Sequence, residues 1–305
     1  MNTLVHNAIH VVLALTFPPL LLGVITKTKA VFAGREGPPI LQPYYDLFKL
    51  FRKGSVFSTT TTWIFRAGPV VGLATALIAM LMVPLANARA PISFTGDLIL
   101  LAYLLALGRF FTAVAALDTG SPFEGMGAAR EVTFACLAET AFFLGLLVLV
   151  RLSGSLQLAG MFGRSLAPHW FSASASLVLV LLSWFIVLLA ENCRIPFDDP
   201  NTHLELTMIH EVMVLDHSGP ALGMILYGAA IKLFLFGALV VRLILPATTG
   251  HAWLDWPAFL GGTVVVAVAI GVVESTMARL RLIHVPLLLV AACLLSAFGV
   301  ILLMR

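Results

Sequence analysis

Eight runs of about twenty apolar residues, near 4–25, 64–86, 97–117, 131–153, 171–190, 221–246, 258–275 and 285–304, constrain this chain more than any other feature. A hydrocarbon layer about 30 Å thick takes about 20 residues of helix to cross, and backbone polar groups must be paired within it. Eight such runs in 305 residues leave room for a bundle of spanning helices and little else. Only 11% of the residues are charged, whereas a soluble domain carries about 25%. A soluble enzyme, a nucleic-acid binder and a disordered chain are therefore excluded. The expected fold is an all-α integral membrane protein of about eight transmembrane helices, a single polytopic domain over 1–305.

The first run is expected to be a retained span rather than a signal peptide, because no basic segment precedes it and Lys27 and Lys29 follow it. Eight spans put both termini on one side of the membrane, and lysine and arginine choose which. The connections 26–66, 118–130, 191–220 and 276–284 carry eleven of these residues. The opposite side carries four: Arg89, Arg151, Arg164 and Arg305. The first set is expected to be cytoplasmic, with both termini outside.

Two of the cytoplasmic connections are too patterned to be linkers. After the Pro38 and Pro39 turn, Tyr44, Leu47, Phe48 and Phe51 recur at helical spacing, with Asp46, Lys49, Arg52 and Lys53 on other faces. That pattern predicts a short amphipathic helix lying in the interface. Between spans five and six, Asp199 and Pro200 make an N-cap and N1 pair that opens a cytoplasmic helix near 200–216. Leu204, Met208, Val212 and Leu215 would form an apolar stripe on it for a partner.

Charges within spans cost roughly 2.5–3.5 kcal/mol each at a helix centre on insertion scales, so each implies a partner, a water cavity or a task. Lys232 lies about 16 Å into span six, where either an ion pair or a place in an ion path accounts for it. Glu131 and Glu139 open span four, about 80° apart around the helix and about 12 Å apart along it. Glu131 suits a helix N-terminus; Glu139 lies too deep for that. Arg109 in span three requires a carboxylate. Glu191 ends span five beside Arg194, and Glu274 ends span seven beside Arg279.

No catalytic motif is visible. His210 and Glu211 are followed by Val214, where the zinc-protease pattern HExxH requires histidine. His203, His210 and His217 recur every seven residues, which suits interfacial histidines better than a three-histidine metal site. Cys136, Cys193 and Cys293 include no CxxC pair and fall short of the four thiolates of an iron–sulfur cluster. Electrons that pass nearby must belong to another subunit.

Four stretches carry a family resemblance. Residues 34–50, GREGPPILQPYYDLFKL, resemble the first cytoplasmic loop of the complex I subunit 1 family, and 191–198, ENCRIPFD, resembles its fifth-span exit. Residues 117–131, LDTGSPFEGMGAARE, are similar to the branch that serves membrane-bound group 4 [NiFe] hydrogenases, including formate hydrogenlyase, and 274–282, ESTMARLRL, points to the same branch. The formate hydrogenlyase type has an acidic run after the PFD element, whereas histidines are interspersed here, so the resemblance implies the class rather than an electron donor.

The resemblance implies a membrane subunit, in a bacterial or archaeal cytoplasmic membrane, that docks a soluble arm. That arm would hold [NiFe] hydrogenase-like large and small subunits and an iron–sulfur protein, with antiporter-like subunits alongside in the bilayer. The [NiFe] centre and clusters would sit on those partners, with no cofactor in this chain. The family's line of buried acids maps onto Glu131, Glu139, Glu191 and Glu205, and Lys232 joins them in an expected proton or sodium path. Arg35, Lys49, Arg52, Lys53, Asp118, Arg130, Asp198, His203, His210 and Glu211 are expected to face the docked arm. Two alternatives remain: a passive anchor, and the quinone-site subunit of an NADH dehydrogenase.

Overall fold

Prolines decide where the first helices begin and end. The computed structural model describes residues 3–86, 90–163, 166–198, 208–246 and 251–304, and among these it contains helices and connections without strands. Helix α1 (Thr3–Thr16) meets α2 (Pro18–Phe32) at a 47° bend, since Pro18 and Pro19 have no N–H to continue the ladder. The Leu15 carbonyl, left without the amide of residue 19, accepts the Tyr227 hydroxyl at 2.6 Å, and the Thr16 carbonyl accepts the Tyr44 hydroxyl. Side chains from other helices thus satisfy the freed groups, as burial in hydrocarbon demands. The first apolar run is therefore a bent pair that reaches residue 32 instead of a straight span ending at 25.

The amphipathic stretch forms α3 (Gln42–Phe51), packed on α2. Then come α4 (Trp63–Met82), α5 (Asp97–Asp118), α6 (Pro122–Ser153), the single turns α7 (Leu158–Met161) and α8 (His169–Ser172), α9 (Ser174–Glu191), α10 (Gly219–Ile244), α11 (Ala252–Thr276) and α12 (Val285–Leu303). Among the described residues, seven helices are long and apolar enough to cross a membrane, or eight if the bent pair counts as one span. The chain is an all-α membrane protein. Helix α10 is the most buried of the spans and packs on α2, α4 and α11, while α12 covers α6 and α9.

The connections sort to two ends. At one end, Asp118 accepts from the Thr62 amide and hydroxyl at 2.7 and 2.9 Å, Arg279 pairs with Asp198 at 2.8 Å, and the Ser218 hydroxyl meets Val56. At the other, Asp97 accepts the Leu158 amide at 2.8 Å and the Trp170 indole donates to the Leu243 carbonyl at 3.0 Å. Trp184 packs between Phe142 and Phe162 in an apolar part of the interior, and toward the second end the buried Arg242 donates to the Phe162 carbonyl.

Two expectations need correction. Helix α6 starts at Pro122, nine residues before Glu131, so the helix N-terminus does not explain Glu131; the acid in the first turn is Glu124. The expected cytoplasmic helix differs as well. Residues 199–207, with His203, Leu204 and Glu205, lie outside the described residues. In 208–216 the structure holds one 3₁₀ turn, Glu211–Val214. The backbone bonds go elsewhere: Asp198 accepts the Ile209 and His210 amides, and Arg130 donates to the Met208 carbonyl. Met208 and Val212 are buried within this chain, Val212 against the bare backbone of Gly127 on α6, instead of forming an exposed stripe.

Candidate functional site

Small residues bring α4 and α5 together and aim Arg109 inward. A Cβ on Gly108 would fall 2.6 Å from the Thr75 hydroxyl, and one on Gly68 would fall 2.9 Å from the Ala115 methyl. Such close approach is how spanning helices associate where solvent gives no drive. Arg109, thirteen residues into α5, then reaches three carboxylates on two other helices. It contacts Glu139, meets Glu191 at 2.7 Å, and places Nε 3.7 Å from Glu131. Lys232 of α10 closes the group, with Nζ 2.7 Å from Glu191.

Four of the five expected path residues, Glu131, Glu139, Glu191 and Lys232, therefore share one network, and Arg109 gains the partners it required. Three carboxylates face two cations. The Glu191 side chain is 5% exposed and that of Arg109 10%, whereas Glu139 is 38% exposed on the flank of the bundle. The fifth expected acid, Glu205, lies outside the described residues.

Two sizeable cavities lie at or near the network. One, of about 110 Å³ between α4, α5 and α10, has Arg109, Glu131, Glu191 and Lys232 in its wall. A water needs only about 10–15 Å³ of such space, so several fit among these polar groups. A second, of about 450 Å³, opens between α2, α3 and α10, with Lys29, Asp46, Arg194, Glu211 and Glu274 at its rim. Asn192, Cys193 and His210 line both. Burial, reinforced by the charges of Glu131 and Asp198, pushes the Cys193 thiol well above the usual thiol range.

The expected docking residues divide. Arg35, Lys49, Arg52 and Lys53 are exposed at the first end of the bundle. Asp118, Arg130 and Asp198 spend their polar atoms inside the chain, on Thr62, Met208, and the pair of Arg279 with the 209–210 amides. His210 and Glu211 face the larger cavity, and His203 lies outside the described residues. The expected neighbour pairing is crossed over: Arg194 pairs with Glu274 at 3.4 Å, which Lys29 also meets at 2.9 Å, and Arg279 pairs with Asp198. Of the three spaced histidines, His217 stacks on Phe65 with ring centroids 3.9 Å apart.

Sequence reasoning missed Glu124, which is 1% exposed and accepts the Asp216 amide at 3.3 Å. Its position three residues after Ser121, with Pro122 opening the helix, was the available signal. It ties the start of α6 to the approach to α10.

The chain matches the profile described as NADH dehydrogenase over residues 5–305. It is 36% identical to hydrogenase-4 component C of Escherichia coli (strain K12) over 282 residues, 90% of this chain and 88% of the relative. Formate hydrogenlyase subunit 4 of the same organism is 31% identical over 297 residues, 93% of each chain. NADH-ubiquinone oxidoreductase chain 1 of Arabidopsis thaliana is 29% identical over 247 residues, 75% of each chain. The fold is shared with a chain of the membrane-bound sulfane sulfur reductase, an archaeal respiratory membrane complex, with a TM-score of 0.79, 22% identity, and 99% and 100% of the two chains covered. A bundle of this topology and a match across nearly its whole length lead to one conclusion: the chain belongs to the NADH dehydrogenase family.

Proposed function

We propose that this chain is the membrane subunit of a multi-subunit, group 4 [NiFe] hydrogenase-like complex, where it docks a soluble redox arm and couples electron transfer to proton or sodium translocation. The observation that carries the coupling is the charge network of Arg109, Glu131, Glu139, Glu191 and Lys232. Each charge is costly at that depth. Two carboxylates would balance the two cations; the third leaves a negative surplus that a mobile cation can compensate. Similarity to hydrogenase-4 component C and formate hydrogenlyase subunit 4 supports the class.

The route from arm to network is short. Glu124, Arg130 and Asp198 bond the 208–216 segment to α6 and to the exit of α9, the helices that carry Glu131, Glu139 and Glu191. Redox change in the arm moves that segment and so biases the network between two arrangements. Glu139 emerges on the bundle flank, where bare lipid would be a poor neighbour for a charge. An antiporter-like membrane subunit covers it in this reading. The [NiFe] centre and iron–sulfur clusters belong to the large, small and iron–sulfur subunits of the arm. The exposed basic loop of Arg35, Lys49, Arg52 and Lys53 faces the cytoplasm of a bacterium or archaeon, and both termini lie outside.

Purification from native membranes tests the assignment: the chain should bring with it a [NiFe] large subunit. Recovery of an NADH-oxidising arm instead would favour the second reading, a quinone-site subunit. That reading has its own support in the cavity of about 450 Å³ beside α3 and in the likeness to NADH-ubiquinone oxidoreductase chain 1. A photoreactive quinone that labels the wall of this cavity would establish it.

A further inference from the structure

Glu131, Cys193 and His210 come from three separate segments: the first third of α6, the turn after α9 and the start of the 208–216 segment. Among the described residues, their ligand atoms form a group in which all lie within 4.8 Å of one another. A carboxylate, a thiol and an imidazole are the three side chains that zinc and its borderline-soft neighbours select. Bonds of about 2.0–2.3 Å in tetrahedral geometry put ligand atoms about 3.5 Å apart, so closing the group takes about 1 Å of side-chain movement.

Two further observations point at a ligand. The Nδ1 atom of His210 is buried with no hydrogen-bond partner among the described residues, and buried polar atoms are seldom left so. Cys193 has φ +50°, a left-handed conformation that residues other than glycine seldom adopt, and such strain collects at functional sites.

We infer that Glu131, Cys193 and His210 form a three-ligand site for a divalent transition-metal ion of the zinc class, with the fourth position open to the adjoining cavity. Three protein ligands and one open position is the coordination pattern of zinc sites that keep a place for water or another small ligand. Occupancy would pin the 208–216 segment to α6 and to the turn after α9. The site is a property of this chain's residues and holds whichever arm is docked.

The test uses the intact complex, stripped with a chelator and titrated with Zn²⁺ and Co²⁺. The wild type should take up one more equivalent of zinc than C193S or H210Q, each of which should weaken binding at least about tenfold. Cobalt should give a sulfur-to-metal charge-transfer band that C193S lacks, and His284→Gln, at an exposed histidine, should change neither. Alkylation of Cys193, followed on its peptide by mass spectrometry in the wild type, needs no variant to assemble. Zinc should slow it while leaving exposed Cys136 unaffected. Equal zinc uptake by wild type, C193S and H210Q would overturn the site, as would a Cys193 alkylation rate that zinc does not change.

Discussion

Replacing Arg109 by methionine removes the one cation that three carboxylates share. The side chain is nearly buried, and both nitrogens of its terminal fork are committed, one to Glu139 and one to Glu191 at 2.7 Å. Removing one partner of a buried ion pair costs roughly 3–5 kcal/mol, most of it for the charge left behind. Three times that figure would be too much here. Lys232 still faces Glu191 at 2.7 Å, and Glu139, 38% exposed on the flank, is open to a polar group of the subunit proposed to cover it. The uncompensated burden falls chiefly on Glu131 and on the half of Glu191 that Lys232 does not serve, so about 3–5 kcal/mol is expected in all. Glu139→Gln makes the contrast, because Arg109 keeps two carboxylates and the lost group is the most exposed of the three. Its cost should be clearly smaller than that of Arg109→Met, because no buried charge is left without a partner. Thermal unfolding of the intact complex in detergent, followed by tryptophan fluorescence, measures both. Equal losses in the two variants, or an Arg109→Met complex as stable as the wild type, would refute the claim that Arg109 is the keystone of the network.

Three other outcomes follow from local geometry. Tyr227→Phe leaves the Leu15 carbonyl at the helix bend without its partner and should cost about 1–3 kcal/mol, read as a lower melting temperature in the same assay; no loss would mean the bend is satisfied otherwise. Burial holds the His217 imidazole, stacked on Phe65, down at about 4, with Asp216 opposing the shift. The unfolded chain takes up that proton near the ordinary 6.5, so this contribution to stability is complete above pH 6.5 and is lost as pH falls toward 4. His217→Phe should remove that part of the pH slope, and an unaltered slope would contradict the assignment. Arg35→Glu should release the soluble arm while the subunit stays inserted; normal co-purification of the arm would exclude this loop as a docking surface.

The spans were legible because length and hydropathy act locally: a run of twenty apolar residues needs no knowledge of its neighbours to cross a bilayer. Mid-span charges such as Lys232 and Arg109 stood out for the same reason, since their cost is set by depth. Their partners were hidden. Arg109 meets Glu191 across 82 residues, and only the packing of α5 on α4 through Gly108 and Gly68 aims it there. The bend at Pro18 was signalled by two adjacent prolines, but the apolar run passes through them unbroken. The 208–216 segment misled because Met208 and Val212 keep helical spacing while Val212 is covered at Gly127 and the segment's backbone bonds go to Asp198 and Arg130. Pattern recorded which residues are apolar there. It did not record that the chain supplies their cover itself.

If the charge network couples electron transfer to ion movement, the ratio of ions taken up to hydrogen evolved in sealed vesicles depends on its residues. Glu139→Gln should assemble with full subunit content and turn over hydrogen with an artificial electron donor, yet bring ion uptake down to background. Lys232→Met should behave likewise, with a milder loss where water in the cavity of about 110 Å³ can stand in for the ammonium. An unchanged ratio in both variants would contradict coupling through this network and leave a passive anchor in its place.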